Sequence, residues 1–269
     1  MADATKLAPM RWKIGTMGFS YPAWSGGVFY PRGVKPADYL AYYAKCFDAV
    51  ELDTTFYAIP APDRVRRWAS AVGPDFRFSL KTPRDITHAD DVSAAAAMMA
   101  SFVTSVREFG EKLGVILLQF PPSFDARRFR ELQGLLATIP TDIPLCAEFR
   151  HASWWAWGDT AQFLADYNVS WASADYVSSP RELRVVGHRA YLRLIGQHDR
   201  YPNMYREERD PTADLQHWKS ELDRAAPEEV WVLLNNDYAG FSIATAERLL
   251  ALLGRQSTRP LAVETTLFG

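Results

Sequence analysis

The chain is poor in cysteine: among its 269 residues only Cys46 and Cys146 carry thiols, one inside a helical pattern and one inside a strand pattern. Such usage argues against a disulfide framework and reads as two buried thiols in a reducing compartment. An excess of one charge sign is also lacking, since 30 Lys and Arg against 32 Asp and Glu leave a net charge of −2. That balance gives no extended nucleic-acid footprint, although it stays compatible with a local basic pocket and with a phosphate-bearing substrate. No apolar run approaches the roughly 20 residues needed to span a bilayer. The N-terminal stretch MADATKLAPMRWK contains no apolar signal-peptide core. The expectation is a soluble, cytoplasmic protein that makes no membrane contact.

Several signatures of common chemistries are missing as well. Without a P-loop, a G-x-S-x-G elbow or a Gly-rich dinucleotide fingerprint, Walker-type ATP hydrolysis, serine hydrolysis and standard NAD binding are disfavoured. No H-E-x-x-H or paired-cysteine spacing occurs, so no cofactor is expected. A divalent metal stays open only as an arrangement in which His88, His151 or His198 joins Glu51, Asp53, Glu148 or Asp175. The plainer roles are loop ordering for His88 and a supporting hydrogen bond for His151. No repeat, low-complexity tract or linker divides the chain, which predicts one domain over residues 1–269 with about residues 1–11 as a tail.

What the chain does contain is alternation of strand-like and helix-like segments. Apolar runs at WKIGTMGF, AVELD, FRFSLK, GVILLQF, PLCAEFR, VSWASAD, AYLRLIG and VWVLLNN read as strands. Helical spacing links Leu40, Tyr43, Ala44 and Phe47 after Pro36, and Met99, Phe102, Val103 and Val106 after Ser93, a candidate N-cap. Further helices are expected over 126–138, 160–167, 212–225 and 242–253, with Gly254 at the C′ position. Eight strands, each followed by a helix, fit an α/β single-domain (β/α)₈ TIM-type barrel better than an open doubly wound sheet.

Strand parity then explains charged residues in otherwise apolar segments. In PLCAEFR, Cys146, Glu148 and Arg150 share one face, while Leu145, Ala147 and Phe149 share the other. Burying an unpaired charge costs several kcal/mol, so these groups belong at the C-terminal mouth, where they pair, meet water or grip a ligand. Glu51 and Asp53, Ser79 and Lys81, Gln119, Ser173 and Asp175, Arg193, and Asn235 with Asn236 repeat this placement on other strands. The C-terminal rim is where barrel active sites lie.

The segments GFSYPAWSGGVFYP, YYAKCFDAVELDTTFYAIP, FRFSLKTPRDITH, LGVILLQFPPSF, AEFRHASWW and LLNND resemble the domain of unknown function 72 family, also called YecE-like. The resemblance runs over nearly the whole chain and is most specific in Glu-x-Asp-x-Thr-Phe-Tyr and Glu-Phe-Arg-His-x-Ser-Trp. It implies a (β/α)₈ barrel and a site at the mouth, but no reaction. The chain departs from the family pattern at Ile195, where Arg-Leu-His-Gly is common, and in DYAGFS after the Asn235–Asn236 pair.

The candidate acid–base groups are Glu51, Glu148, Asp175 and Lys81. Lys81, Arg150 and Arg193 suit a phosphate, sulfate or carboxylate. Tyr21, Trp24, Phe56, Tyr57, Trp154 and Trp155 follow strands and either stack on a ring or lid the core. With Asp53, His88, Gln119, His151, Asn235 and Asn236, these complete the expected binding set. The leading expectation is an enzyme acting on a small or oligomeric anionic substrate, as a phosphoester hydrolase or nuclease-like activity. The alternatives are an isomerase, epimerase or lyase on an acidic or phosphorylated sugar, and a barrel that only binds a ligand or partner. A structural ion-pair network among the charges is the competing explanation of the rim.

Overall fold

The computed structural model describes residues 9–256. Eight parallel strands close into a barrel in chain order, with β1 pairing both β2 and β8. They are β1 Arg11–Met17, β2 Ala49–Leu52, β3 Arg77–Lys81, β4 Leu113–Phe120, β5 Leu145–Phe149, β6 Val169–Tyr176, β7 Arg189–Gly196 and β8 Glu229–Leu234. Outside them lie α1 Tyr39–Tyr43, α2 Pro62–Ser70, α3 Arg84–Thr87, α4 Ala96–Val106, α5 Phe129–Leu136, α6 Ala152–Ala156, α7 Thr160–Asp166, α8 Thr212–Ala225 and α9 Ser242–Leu252. The expected single-domain barrel and all eight expected strands are present. Residues 1–8 of the expected tail lie outside the described residues, and among the described residues no helix is long and apolar enough to cross a membrane.

The alternation of each strand creates two apolar layers. Outward residues such as Val50, Leu80, Ile116, Phe149, Leu192 and Val232 pack under the helices. Inward residues, among them Met17, Val115, Leu117, Cys146, Ala172, Tyr191 and Trp231, fill the barrel. Trp231 occupies so much of that interior that Gly114 is required beside it: a Cβ there would lie 2.2 Å from the indole. Gly15 answers a backbone approach, its hypothetical Cβ falling 1.8 Å from the Ala49 carbonyl oxygen. Both thiols are buried, as expected, and neither is in a disulfide among the described residues.

Two local expectations are corrected, and one helix, α2, falls outside the expected set. Not every strand is followed by a helix, because residues 177–188 connect β6 to β7 without one. Ser93 is not an N-cap: Asp91 takes that role, its carboxylate accepting from the Ser93 amide at 2.9 Å, and a 3-10 turn over Val92–Ala95 leads into α4. The helix α2 buries only Val65 and so carries no apolar stripe that would announce it in the sequence, while Pro62 at its start pre-sets the helical φ. Gly254 does sit past α9 in the left-handed region (φ +68), and the Arg255 amide reaches back to the Leu250 carbonyl at 2.9 Å.

Substituting Gly15→Ala is expected to cost about 1–3 kcal/mol through overpacking, whereas Gly158→Ala, with open space around its Cβ, should stay within about 0.5 kcal/mol. Urea unfolding midpoints of the two variants check this; equal midpoints would contradict the close approach of β1 and β2.

Candidate active site at the barrel mouth

Inward positions near the C-terminal ends of β2, β5 and β7 bring Glu51, Glu148 and Arg193 together. Arg193 holds Glu51 in a fork, Nε to Oε2 at 3.0 Å and Nη2 to Oε1 at 2.6 Å. Its remaining terminal nitrogen, Nη1, donates to Glu148 Oε2 at 2.7 Å. All three side chains are buried. Tyr191, two residues before Arg193 on the same face, donates its hydroxyl to Glu51 Oε2 at 2.9 Å, and Ser79 backs the phenol at 2.6 Å.

Glu148 has a second partner in Arg150, whose Nε makes an ion pair with Oε1. The Arg150 guanidinium lies 3.9 Å from the Tyr176 ring centroid, and its two terminal nitrogens make no hydrogen bond among the described residues. Burial by itself pushes the Glu148 carboxyl up, but the Arg150 and Arg193 charges outweigh it and hold the group below the usual carboxylate range.

Lys81 ends β3 and faces the same mouth. Its ammonium rests 3.9 Å from the centroid of Phe56. Among the described residues it makes neither an ion pair nor a side-chain hydrogen bond. Burial lowers its pKa to about 8, the Arg193 charge adding to the effect while Glu148 and Glu51 oppose it. Asp53 is shifted the other way: burial, then the nearby Glu51 carboxylate, raises its carboxyl above the ordinary value. A cavity of about 250 Å³ lies over these groups, lined by Asp53, Phe56, Tyr57, Lys81, Gln119, Arg150, Arg193 and Asn235, together with Met17, Ile195 and His198.

A model of the family described as "Protein of unknown function DUF72" matches residues 13–266. The chain belongs to the DUF72 family. It is 32% identical over 143 residues to the UPF0759 protein YecE of Escherichia coli (strain K12), a match covering 53% of this chain. The chain spans about half of YecE, at 52% of its length. The UPF0759 protein YunF of Bacillus subtilis (strain 168) is 25% identical over 259 residues, covering 83% of this chain and 89% of YunF. A crystal structure of a DUF72 family protein from Thermotoga maritima superposes with a TM-score of 0.72 at 26% identity, covering 91% of this chain and 100% of that one. Another from Enterococcus faecalis gives 0.72 at 21% identity, covering 91% and 98%, and shows the shared fold.

Not every expected residue of this DUF72 protein reaches the cavity. Asp175 is the main correction. On β6 the inward positions belong to Ala172, Ala174 and Tyr176, so Asp175 points to the helical layer. There it accepts from Trp218 Nε1 at 2.7 Å and the Tyr238 hydroxyl at 2.9 Å, on the wall of a separate cavity of about 340 Å³ that also includes Arg181, Arg209 and Asp214. Trp24 and Trp154 are fully buried core residues; Trp154 stacks on Phe149 with centroids 4.1 Å apart. Tyr21 packs on Trp24 and donates to the Met17 carbonyl. His151 caps α6 by accepting from the Ser153 amide at 3.1 Å, and His88 packs edge-on against Phe56 with ring centroids 5.3 Å apart. Asn236 is buried and accepts from the Ser242 amide and hydroxyl, fastening the start of α9. Trp155 packs edge-on against Trp171 and donates to the Phe149 carbonyl.

Among the described residues, no group of three or more His, Cys, Asp and Glu side chains is placed to hold a metal ion. Tyr191 and Tyr176 were missed, although the period-2 alternation that orients Arg193 and Ala174 puts both on the inward face. Met17 and Ile195 carry too little individual signal, and His198, expected only as a metal ligand, lines the cavity instead.

Replacing Arg193 with methionine leaves two buried carboxylates without their shared partner, which should cost about 3–5 kcal/mol at neutral pH. Because the folded value of Glu148 is depressed, its stabilising contribution is complete above its unfolded value near 4.3 and is lost as pH falls through the lower folded value. Arg193→Met should therefore approach the parent's stability as acid neutralises the freed carboxylates. Urea unfolding at pH 7 and pH 4 checks this; a variant within about 1 kcal/mol of the parent at pH 7 would contradict it.

Proposed function

We propose that the mouth cavity is an active site for proton transfer beside a carbonyl, in an isomerase, epimerase or lyase that acts on a small acidic or phosphorylated sugar. The observation that carries this reading is the state of Lys81: an amine without a counter-ion, its pKa lowered to about 8, facing a cavity whose glutamates are already matched by arginines. An amine with a pKa near the working pH exchanges protons efficiently in either direction. Asp53, shifted upward on the same wall, supplies a second group able to hold a proton. The free terminal nitrogens of Arg150 suit a carboxylate or phosphate on the substrate. The cavity volume of about 250 Å³ favours a small metabolite.

Phosphoester hydrolysis asks Lys81, Arg150 and Arg193 to converge on one phosphate. Arg193 is instead committed to Glu51 and Glu148 through all three nitrogens, which makes that chemistry the less supported one.

Incubating the protein with a panel of phosphosugars and sugar acids in deuterated water tests the reading. Deuterium should enter a carbon next to a carbonyl, with kcat/KM rising along a limb near pH 8 as the Lys81 amine loses its proton. Lys81→Arg, which keeps the charge, should lower exchange by about 100-fold or more. Hydrolysis without exchange would favour the phosphoesterase, and tight binding with neither would favour a binding barrel.

A further inference from the structure

The position of Lys81 suits more than a proton shuttle. Its amine lines a small cavity, and the two glutamates beside it have other partners. Glu51 is held by Arg193 and Tyr191, and Glu148 by Arg193 and Arg150. The Phe56 ring covers one side of the amine at 3.9 Å and keeps water from that side. A lysine in such surroundings, desolvated and next to other cations, is activated as a nucleophile.

We propose that Lys81 Nζ condenses with an aldehyde or ketone carbonyl of a small anionic substrate, forming a Schiff base at the barrel mouth. This rests on the reading of the mouth as a site for carbonyl substrates, and it names the covalent step. The neutral amine adds its lone pair to the carbonyl carbon while a proton passes from nitrogen to oxygen, giving a carbinolamine. Asp53, on the same wall and with its carboxyl shifted toward the protonated form, donates a proton to the departing hydroxyl. One water leaves, the C–O bond breaks and an iminium remains, with no oxidant or reductant consumed. The iminium withdraws electrons from the adjacent carbon, and the Asp53 carboxylate left by that donation is placed to accept the proton released there. Arg150, with its free terminal nitrogens, pairs with the substrate's carboxylate or phosphate.

The selectivity of the step follows from the proton occupancy of the amine. At pH 7.5 an amine with a pKa of about 8 is neutral far more often than an ordinary lysine near 10.4. The reaction of Lys81 with a carbonyl should therefore outpace that of an ordinary exposed lysine by roughly tenfold or more.

Sodium borohydride trapping of the full chain with glyoxylate, pyruvate, glyceraldehyde 3-phosphate and dihydroxyacetone phosphate tests this directly, with intact-mass measurement and peptide mapping. The expected result is a single reduced adduct on Lys81, saturable in at least one probe and absent from Lys81→Arg. A folded Lys81→Arg is verified by its thermal melt, and the mapping in the parent protein reads the adduct site whether or not that variant folds. Labelling spread evenly over surface lysines, or no adduct from any probe, would overturn the covalent step. Deuterium exchange measured on the same probes separates the two readings. Exchange without an adduct overturns the Schiff base and leaves the proton-transfer site intact, whereas an adduct without exchange supports the covalent step and counts against proton transfer at the neighbouring carbon.

Discussion

The guanidinium of Arg193 ties together two glutamates that arrive on different strands, Glu51 from β2 and Glu148 from β5. Taking these charges out of water is expensive, and the cost is offset only because the geometry is forked and every nitrogen of the guanidinium is used. The charge balance at the mouth follows. Two arginines, Arg193 and Arg150, answer two glutamates, and Lys81 and Asp53 are left to share a partly buried cavity. Burial then moves both toward neutrality, the lysine downward and the aspartate upward. A structural ion-pair network and a chemically poised pair are thus two parts of one arrangement.

Much of this was legible in the sequence because barrel strands obey a period of two. The pairs Glu51 with Asp53, Ser79 with Lys81, and Glu148 with Arg150 were oriented by parity alone, and their inward placement agrees with the structure. Asp175 shares its strand face with Ser173, and polarity near a strand end does not decide which face of β6 turns inward. Trp171, Ser173 and Asp175 alternate with the small inward residues Ala172 and Ala174, so Asp175 turns outward. The aromatic residues were less tractable, since a tryptophan after a strand can cover a core or a ligand equally well. Trp24 and Trp154 do the former; Phe56 and the 84% exposed Tyr57 line the cavity. Which carboxylate each arginine selects depends on distances between strands far apart in the chain, and no local pattern encodes those.

The division of labour around the barrel is physical. Outward residues and the close approaches at Gly15 and Gly114 hold the strands at the spacing that lets Arg193 span two glutamates. Asn236 and His151, polar and near strand ends, fasten the helices that follow instead of facing the cavity. Membership of the DUF72 family and the fold shared with its solved members place this arrangement in a known architecture, while the chemistry rests on the individual side chains at the rim.

The most direct test of this account is an NMR titration of the Lys81 side chain in the intact protein, with the resonance assigned through Lys81→Arg. The arrangement of Arg193 and the two glutamates predicts a titration midpoint near 8. A midpoint near the ordinary lysine value of about 10.4 would show that the mouth carboxylates still stabilise the ammonium, and would contradict the claim that the arginines have left it without a counter-ion.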